Sequence, residues 1–244
     1  KAVAVNVSDV EAMGAEPSAV VIGLAFPRNL DRRWVSDFQE GVVEECARAG
    51  VSLVGGDLSS SAHIALGVTA LGNLSGRPAV TRAGARAGDQ VAVCGRLGCS
   101  AGGLLVLQRG FGSPKDLVLE QQCPTVPYGQ GKVAAEAGAT AMIDVSDGLL
   151  QDLGHICELS GVGIDVRTGA LKIHDSLARL AAATGKDPLG FVLAGGEDHA
   201  LAATFPAEVE LPQGWLRIGT VTAGAEVIVD GMPWTGSVGW DHFA

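Results

Sequence analysis

The sequence predicts an α/β (α+β) protein of two layered domains, with mixed β-sheets flanked by helices. Segments typical of strands and of helices are interspersed, but they do not follow a strict βαβ repeat. Apolar residues make up 47% of the 244 residues, which is enough for a substantial core. Residues 75–90, "SGRPAVTRAGARAGDQ", are rich in Gly, Arg and Pro, as linkers are. We therefore expect an N-terminal domain over residues 1–80 and a C-terminal domain over residues 81–244.

The N-terminal half contains four segments typical of strands and one typical of a helix. Residues 34–49 carry apolar side chains at helical spacing. The predicted strands cover 1–10, 19–27, 51–54 and 63–74. We expect the second of these to be buried on both faces, and the third to break into a turn at "GGD". Because the first strand is already under way at Lys1 and no initiator Met precedes it, we expect part of this domain to be missing from the chain.

The C-terminal half repeats the mixture of strands and helices. Helices are predicted over 100–110, 131–139, 146–161 and 173–185. Strands are predicted over 91–95, 140–145 and 162–166, with a strand hairpin over 215–231. Residues 188–206 are typical of a helix, a glycine turn and a strand in succession. That glycine turn contains the acids Glu197 and Asp198.

Composition excludes several classes of function. The net charge is −10, which disfavours a nucleic-acid partner because phosphate backbones require a basic surface. No apolar run approaches the length of a membrane span, and no secretory signal is recognisable. The five cysteines form no CxxC pair, which favours reduced thiols in a cytoplasmic protein. The five histidines show no HExxH or HxxxH spacing, so a zinc site is not expected.

The stretch "AMIDVSDGLLQDLGHI" places two carboxylates where a strand meets a helix. Asp144, Ser146 or Asp147 can each serve as an N-cap, because their side chains accept hydrogen bonds from the first helical turn. One acid is explained in this way, but a second acid three residues away is not needed for capping. Two close carboxylates repel unless a cation lies between them. At this point the sequence leaves capping and metal binding equally open.

Acids recur after apolar runs elsewhere in the chain. Asp9 ends the first predicted strand, Asp57 follows two glycines, and Glu197 and Asp198 follow two more. Each alone is an ordinary turn composition. Together they stand where open α/β sheets bind ligands, and a carboxylate cluster of this kind requires cations. Mg²⁺ is the best match, and Mg²⁺ with glycine turns indicates a phosphoryl group.

The ordered set of motifs resembles the thiamine-monophosphate kinase family. The matching stretches are "KAVAVNVSDVEAMGAEP", "LVGGDLS", "VTRAGARAGD", "AMIDVSDGLLQDL", "GGEDHAL" and "GWDHF". This family is one of the ATP-binding synthetases similar to aminoimidazole ribonucleotide synthetase, and the resemblance implies their fold. It also implies an Mg²⁺-dependent kinase that converts thiamine monophosphate and ATP into thiamine diphosphate. Such enzymes are typically homodimers that pair through their N-terminal domains.

The resemblance assigns roles to individual residues of this chain. The metal ligands it implies are Asp9, Asp57, Asp144 and Asp147. The ATP contacts it implies are Gly56, Arg82 and Ser146, and the substrate contacts are Glu197 and Trp240. An aromatic face suits the cationic thiazolium ring of thiamine. Without the family, Arg82 reads as a solvated linker residue and Trp240 as ordinary hydrophobic packing.

The sequence also departs from the family pattern. The family carries a Gly-Asp-Asp motif and a substrate histidine in a region that precedes Lys1. Gln39 stands where a nucleotide-contacting tyrosine is frequent, and His199 stands where a tyrosine is common. The acceptor is a phosphate monoester with a second pKa of about 6, so it needs no general base, and we expect direct in-line transfer. The alternatives are another ATP-dependent synthetase of the same group, or a non-catalytic nucleotide-binding homologue.

Overall fold

The computed structural model describes residues 1–240, and ten strands and eight α-helices lie within that range. The strands are β1 (Glu16–Phe26), β2 (Ser52–Ser60), β3 (Ala65–Asn73), β4 (Gln90–Cys94), β5 (Ala141–Val145), β6 (Gly163–Val166), β7 (Ala200–Phe205), β8 (Leu216–Thr222), β9 (Val227–Val229) and β10 (Met232–Pro233). The helices are α1 (Ala2–Ala12), α2 (Arg32–Ala49), α3 (Cys99–Gln108), α4 (Lys115–Gln122), α5 (Gln130–Glu136), α6 (Leu149–Ser160), α7 (Asp175–Thr184) and α8 (Pro188–Ala194).

The strands form two mixed sheets, as the predicted fold class requires. The first has the order β2-β1-β3, in which β1 is parallel to β2 and antiparallel to β3. The second has the order β10-β9-β6-β8-β4-β7-β5, in which only the β6–β9 pair is parallel. Helices α1 and α2 pack with the first sheet, and the main core lies between the second sheet and helices α3, α6, α7 and α8. No helix of the described residues is both long and apolar enough to span a bilayer.

The prediction of a strand over residues 1–10 is wrong, because this segment forms α1. Its buried residues recur with the period of a helix: Val3, Ala4, Val7, Ser8 and Glu11. The alternation of Ala and Val suggested a strand, but a strand would have buried every second residue. Asp9 therefore lies on a helix and not at the end of a strand.

Three details of strand pairing also differ from prediction. Strand β2 continues through Gly55, Gly56 and Asp57 without a turn. A Cβ atom at Gly56 would lie 2.0 Å from the Ile22 carbonyl oxygen, so glycine permits the close pairing with β1. Strands β8 and β9 form no hairpin, because both pair with β6 between them. Strand β1 buries one face, whereas its other face, which includes Val21, is partly exposed.

Helix α1 joins the N-terminal sheet to the C-terminal half of the chain. The buried Glu11 carboxylate accepts hydrogen bonds from the N–H groups of Gly129 and Gly131, at 2.7 and 2.9 Å. Burial raises the pKa of Glu11, and these two hydrogen bonds oppose the rise. The helix also contacts β5, the strand that carries Asp144. The residues of α1 are therefore held in a fixed position relative to the second sheet.

This junction predicts that Gly131→Ala destabilises the protein. The added Cβ would lie 1.9 Å from the carbonyl oxygen of Glu11, so α1 or α5 must move, and such overpacking costs about 1–3 kcal/mol. The control is Gly154→Ala within α6, where an added Cβ meets nothing within 4 Å. That control should stabilise the helix by roughly 0.5–1 kcal/mol. Urea unfolding measures both changes, and equal stabilities of the two variants would contradict this account of the junction.

Candidate active site

Asp144 lies at the end of β5, where three separate parts of the chain meet. Its carboxylate is buried, and its Oδ2 atom accepts a hydrogen bond from Ser8 Oγ at 3.0 Å. The same oxygen lies 2.9 Å from Nδ1 of His199. Ser8 belongs to α1, and His199 belongs to the loop before β7. The side chain of Asp144 is therefore held by two other parts of the chain.

The start of α6 shows whether Asp144, Ser146 or Asp147 caps this helix. The N-cap residue is Gly148, and no side chain caps the helix from that position. Asp152, one turn into the helix, accepts hydrogen bonds at 3.0–3.1 Å from the N–H groups of Ser146, Asp147 and Gly148. Burial raises the pKa of Asp152 to about 7. The capping interpretation of Asp144, Ser146 and Asp147 is therefore wrong, and neither aspartate is needed to begin the helix.

A cavity of about 380 Å³ opens between α1, residues 81–83 and β5. Asp9, Arg82 and Asp144 all line it. Asp9 keeps an exposed surface in the cavity, yet partial burial of its carboxyl, followed by the charge of Asp144, raises its pKa. The charges of His199 and Arg82 oppose this rise. Two carboxylates thus face one space with incomplete charge compensation, which is the setting in which a cation binds.

The "GGEDH" loop sends three consecutive side chains in different directions. Glu197 and His199 both have positive φ angles, of 69° and 50°. Their N–H groups donate to the carbonyl oxygens of Ser146 and Val145, at 2.7 and 2.8 Å. These bonds fasten the loop along the end of β5, beside the "DVSDG" segment. The backbone strain at two non-glycine sites separated by one residue indicates a functional constraint.

Asp198, between these two residues, is an anchor and not a ligand. It is fully buried, and its two oxygens accept hydrogen bonds from the N–H groups of Gly98 and Ser100, at 2.5 and 2.8 Å. These groups belong to the first turn of α3, where a negative charge is favourable. Burial raises the pKa of Asp198 to about 7, and the backbone hydrogen bonds oppose the rise. The carboxylate therefore fixes the loop to α3.

Glu197 and Trp240 lie near the same segment. The Glu197 carboxylate is half exposed and forms an ion pair with Lys1. The Trp240 N–H donates to the carbonyl oxygen of Asp147 at 2.9 Å, and its carbonyl oxygen accepts from Gln151. Trp240 is 63% exposed, so its ring does not belong to the hydrophobic core. The last part of the "GWDHF" motif lies outside the described residues.

Asp57 and Gly56 are not part of the cavity that contains Asp9 and Asp144. They line a second cavity of about 590 Å³ between α2 and the first sheet, together with Phe38 and Gln39. The Asp57 carboxylate accepts a hydrogen bond from Ser59 Oγ at 2.6 Å. Within residues 1–240, no group of three or more His, Cys, Asp or Glu side chains is arranged to hold a metal. The structure therefore brings Asp9 and Asp144 together and leaves Asp57 apart.

The remaining donors fit Mg²⁺. This ion binds proteins through one or two carboxylates and completes its shell with water and substrate phosphates. Asp9 and Asp144 supply that number of carboxylates. Burial raises the pKa of Asp152, and the charges of Asp144 and Asp147 raise it further. Asp147 therefore lies close enough to Asp152 for the two carboxyl groups to interact electrostatically.

The structure reveals three site residues that sequence reasoning had not given a role. Ser8 and His199 hold Asp144, and Asp152 organises the start of α6. Asp152 is buried although it is an acid, and it lies on the same helical face as Leu149 and Ile156. An acid in an apolar stripe was the available signal for Asp152. No comparable signal existed for Ser8, because its partner is 136 residues away.

Comparisons with known proteins identify the family and agree with the fold. Residues 1–74 match the family model "AIR synthase related protein, N-terminal domain", and residues 86–231 match the corresponding C-terminal domain. The thiamine-monophosphate kinase of Mycobacterium tuberculosis is 48% identical over 245 residues, covering all of this chain and 73% of that protein. The crystal structure of thiamine monophosphate kinase from Aquifex aeolicus superposes with a TM-score of 0.88 at 36% identity, covering 96% of this chain and 80% of that one. The structure of AaThiL complexed with AMPPCP and TMP gives the same score and identity, covering 99% and 79%.

The buried Asp198 predicts a pH-dependent stability difference. Its pKa of about 7 in the folded state exceeds the unfolded value of about 3.9, so the stability it contributes is fully present below about pH 4. That contribution is lost as the pH rises through 7, by at most about 1.4 kcal/mol per pH unit. Asp198→Asn has no ionisation at this position, and its amide group opposes one of the two N–H donors, at a cost of about 1–3 kcal/mol.

We therefore expect the stability of the unmodified protein relative to that of Asp198→Asn to fall between pH 5 and pH 7 and to change little above pH 7. Urea unfolding at several pH values measures this difference. A difference that stays constant or widens with rising pH would show that the folded-state pKa of Asp198 is not raised.

Proposed function

Because the chain belongs to the thiamine-monophosphate kinase family, within the AIR synthase related proteins, we propose that it phosphorylates thiamine monophosphate with ATP. The product is thiamine diphosphate. The observation that carries the proposal is the cavity in which Asp9, Asp144 and Arg82 converge. A structural relative at 36% identity is complexed with AMPPCP and TMP, which supports a nucleotide and a monophosphate as ligands here.

Asp9 and Asp144 are the proposed Mg²⁺ ligands. The charge of Asp144 contributes to the raised pKa of Asp9, so a divalent cation between them would relieve the repulsion. Bound Mg²⁺ supplies charge neutralisation to the phosphate groups of ATP. Asp147 and Asp57 remain proposed ligands, although Asp57 lies in the second cavity of the isolated chain.

Arg82 is proposed to bind phosphate oxygens. Its guanidinium lines the same cavity as the two aspartates, and it is not needed to extend a strand or helix. A guanidinium offers several N–H donors in a planar arrangement that suits phosphate oxygens. The interpretation of Arg82 as a solvated linker residue does not explain why it shares a cavity with two carboxylates.

The substrate residues converge on the "DVSDG" segment from two directions. Glu197 donates its N–H to Ser146, and Trp240 donates its N–H to Asp147. An exposed indole can pack on the cationic thiazolium ring, and the Glu197 carboxylate complements its charge. We propose that the thiamine end of the substrate binds here, while Ser146 contacts ATP.

The second cavity is proposed to accept the nucleoside part of ATP. Its walls are mainly apolar, with Gln39, Gly56 and Asp57 as the polar or small residues. Cavities of several hundred Å³ with apolar walls and a few polar groups are typical of ligand sites. Gly56 is the ATP contact we assign to this cavity.

A homodimer is proposed because the first sheet leaves a wide apolar surface. Every residue of β2 is exposed, including Leu53, Val54 and Leu58, and Leu66 and Leu71 of β3 are exposed as well. Exposed apolar side chains in this number on one small sheet are typical of a protein interface. A second copy of the chain is the partner that the family resemblance implies.

A cytoplasmic location fits the five free cysteines.

The residues act by positioning and charge compensation. The acceptor is a phosphate monoester that is mostly dianionic at neutral pH, because its second pKa is about 6. It therefore needs no general base, and no side chain forms a covalent intermediate. The difficulty of the reaction is to bring two anions together in line. Arg82 orients phosphate, Asp9 and Asp144 hold the cation, and Glu197 and Trp240 hold the thiamine.

This mechanism predicts that Asp144→Asn lowers the rate of ADP formation at least about 100-fold, since it removes one of the proposed cation ligands. Asp37→Asn, on an exposed part of α2, is the control and should retain full activity. The assay contains ATP, Mg²⁺ and thiamine monophosphate, and chromatography identifies thiamine diphosphate. Thermal unfolding checks that both variants are folded. Near-normal turnover of Asp144→Asn would exclude the proposed role, and ADP release that does not depend on thiamine monophosphate would favour another synthetase of the group.

A further inference from the structure

The two described hydrogen bonds of the Asp144 side chain both go to one oxygen atom. Oδ2 accepts from Ser8 Oγ at 3.0 Å and lies 2.9 Å from Nδ1 of His199. A carboxylate oxygen offers two lone pairs, so these two partners occupy Oδ2. The other oxygen, Oδ1, has no hydrogen-bond partner within residues 1–240. The two donors therefore fix Oδ2 and leave Oδ1 available to a ligand.

His199 occupies its position at a considerable energetic cost. Its φ of 50° is in the left-handed region, which is unfavourable for most non-glycine residues. Its ring is buried, and Nε2 has no hydrogen-bond partner among residues 1–240. An unsatisfied buried polar atom adds a further cost, because it has lost its hydrogen bonds to water. Within residues 1–240, the contact with Asp144 is the one polar interaction described for the His199 ring. The benefit that offsets the strained backbone and the unsatisfied Nε2 must therefore come from this contact.

The backbone around His199 maintains this contact. The His199 N–H donates to the carbonyl oxygen of Val145, the residue that follows Asp144 on β5. Asp198 fixes the same loop to α3 from the other direction. The ring is therefore held beside Asp144 by two anchors that do not involve a ligand.

We propose that His199 is a positioning residue that fixes the Asp144 carboxylate through Nδ1, so that Oδ1 is presented to the cation shared with Asp9. This inference rests on the proposed function, because it takes Asp144 to be a cation ligand. Ser8 supplies the second donor, and it is adjacent in sequence to Asp9. Partners that orient metal-binding carboxylates commonly influence metal affinity by 10–100-fold.

The test uses Mn²⁺ alone as the probe, with electron paramagnetic resonance measuring the free ion. His199→Asn retains an N–H donor near the position of Nδ1, and asparagine tolerates a positive φ. His199→Gly also tolerates the positive φ but has no donor. Backbone strain is thus acceptable in both variants, and they differ in the hydrogen bond to Asp144. We expect His199→Gly to raise the Kd of Mn²⁺ by about 10-fold. His199→Asn should stay within about threefold of the unmodified protein.

Two further variants make the result decisive. Asp144→Asn tests the proposed function itself, and unchanged Mn²⁺ binding in that variant would overturn the cation site. If Asp144→Asn weakens binding but His199→Gly does not, only the role of His199 is overturned. Ser8→Ala removes the other donor to Oδ2 and should weaken Mn²⁺ binding in the same direction. Thermal unfolding is recorded for each variant, and if His199→Gly does not fold, the comparison of Ser8→Ala with His199→Asn replaces it.

Discussion

The electrostatic repulsion between Asp9 and Asp144 is the constraint on which the arrangement of this protein depends. One aspartate lies on α1 and the other on β5, and burial, followed by the charge of Asp144, raises the pKa of Asp9. Holding them in one cavity requires the rest of the fold to be rigid around them. The Glu11 contacts with α5 fix the position of α1, and the "GGEDH" loop lies against the end of β5. The charges of His199 and Arg82 oppose the rise in the pKa of Asp9, and the proposed cation would compensate the remaining repulsion.

The buried acids divide into two groups by what their oxygens contact. Glu11, Asp152 and Asp198 accept hydrogen bonds from two or three backbone N–H groups, and each therefore joins segments of the fold. Burial raises the pKa of all three. Asp144 instead accepts from side chains through one oxygen, and Asp9 opens to the cavity. A raised pKa alone does not mark a ligand here, because the structural anchors have it as well.

The sequence predicted the fold class, the family and every helix of the C-terminal half except α4, because these depend on local periodicity and on ordered motifs. It failed at α1, since alternating Ala and Val residues satisfy a strand and a helix almost equally. It also failed at Gly56, where a "GGD" sequence lies within a strand because the strands pair too closely for a side chain. The contacts of Asp144 with Ser8 and His199 span 136 and 55 residues, and no local pattern encodes them. The division into domains at residue 80 and the assigned site residues remain predictions.

The most direct test of the shared cation is anomalous diffraction from crystals grown with ATP and Mn²⁺, a cation with the same preference for oxygen ligands. The account predicts a strong anomalous peak between α1 and β5, within about 2.2 Å of a carboxylate oxygen of both Asp9 and Asp144. In that structure, the Asp144 atom nearest the metal should be Oδ1. A bound nucleotide accompanied by no peak between these two side chains would contradict the account.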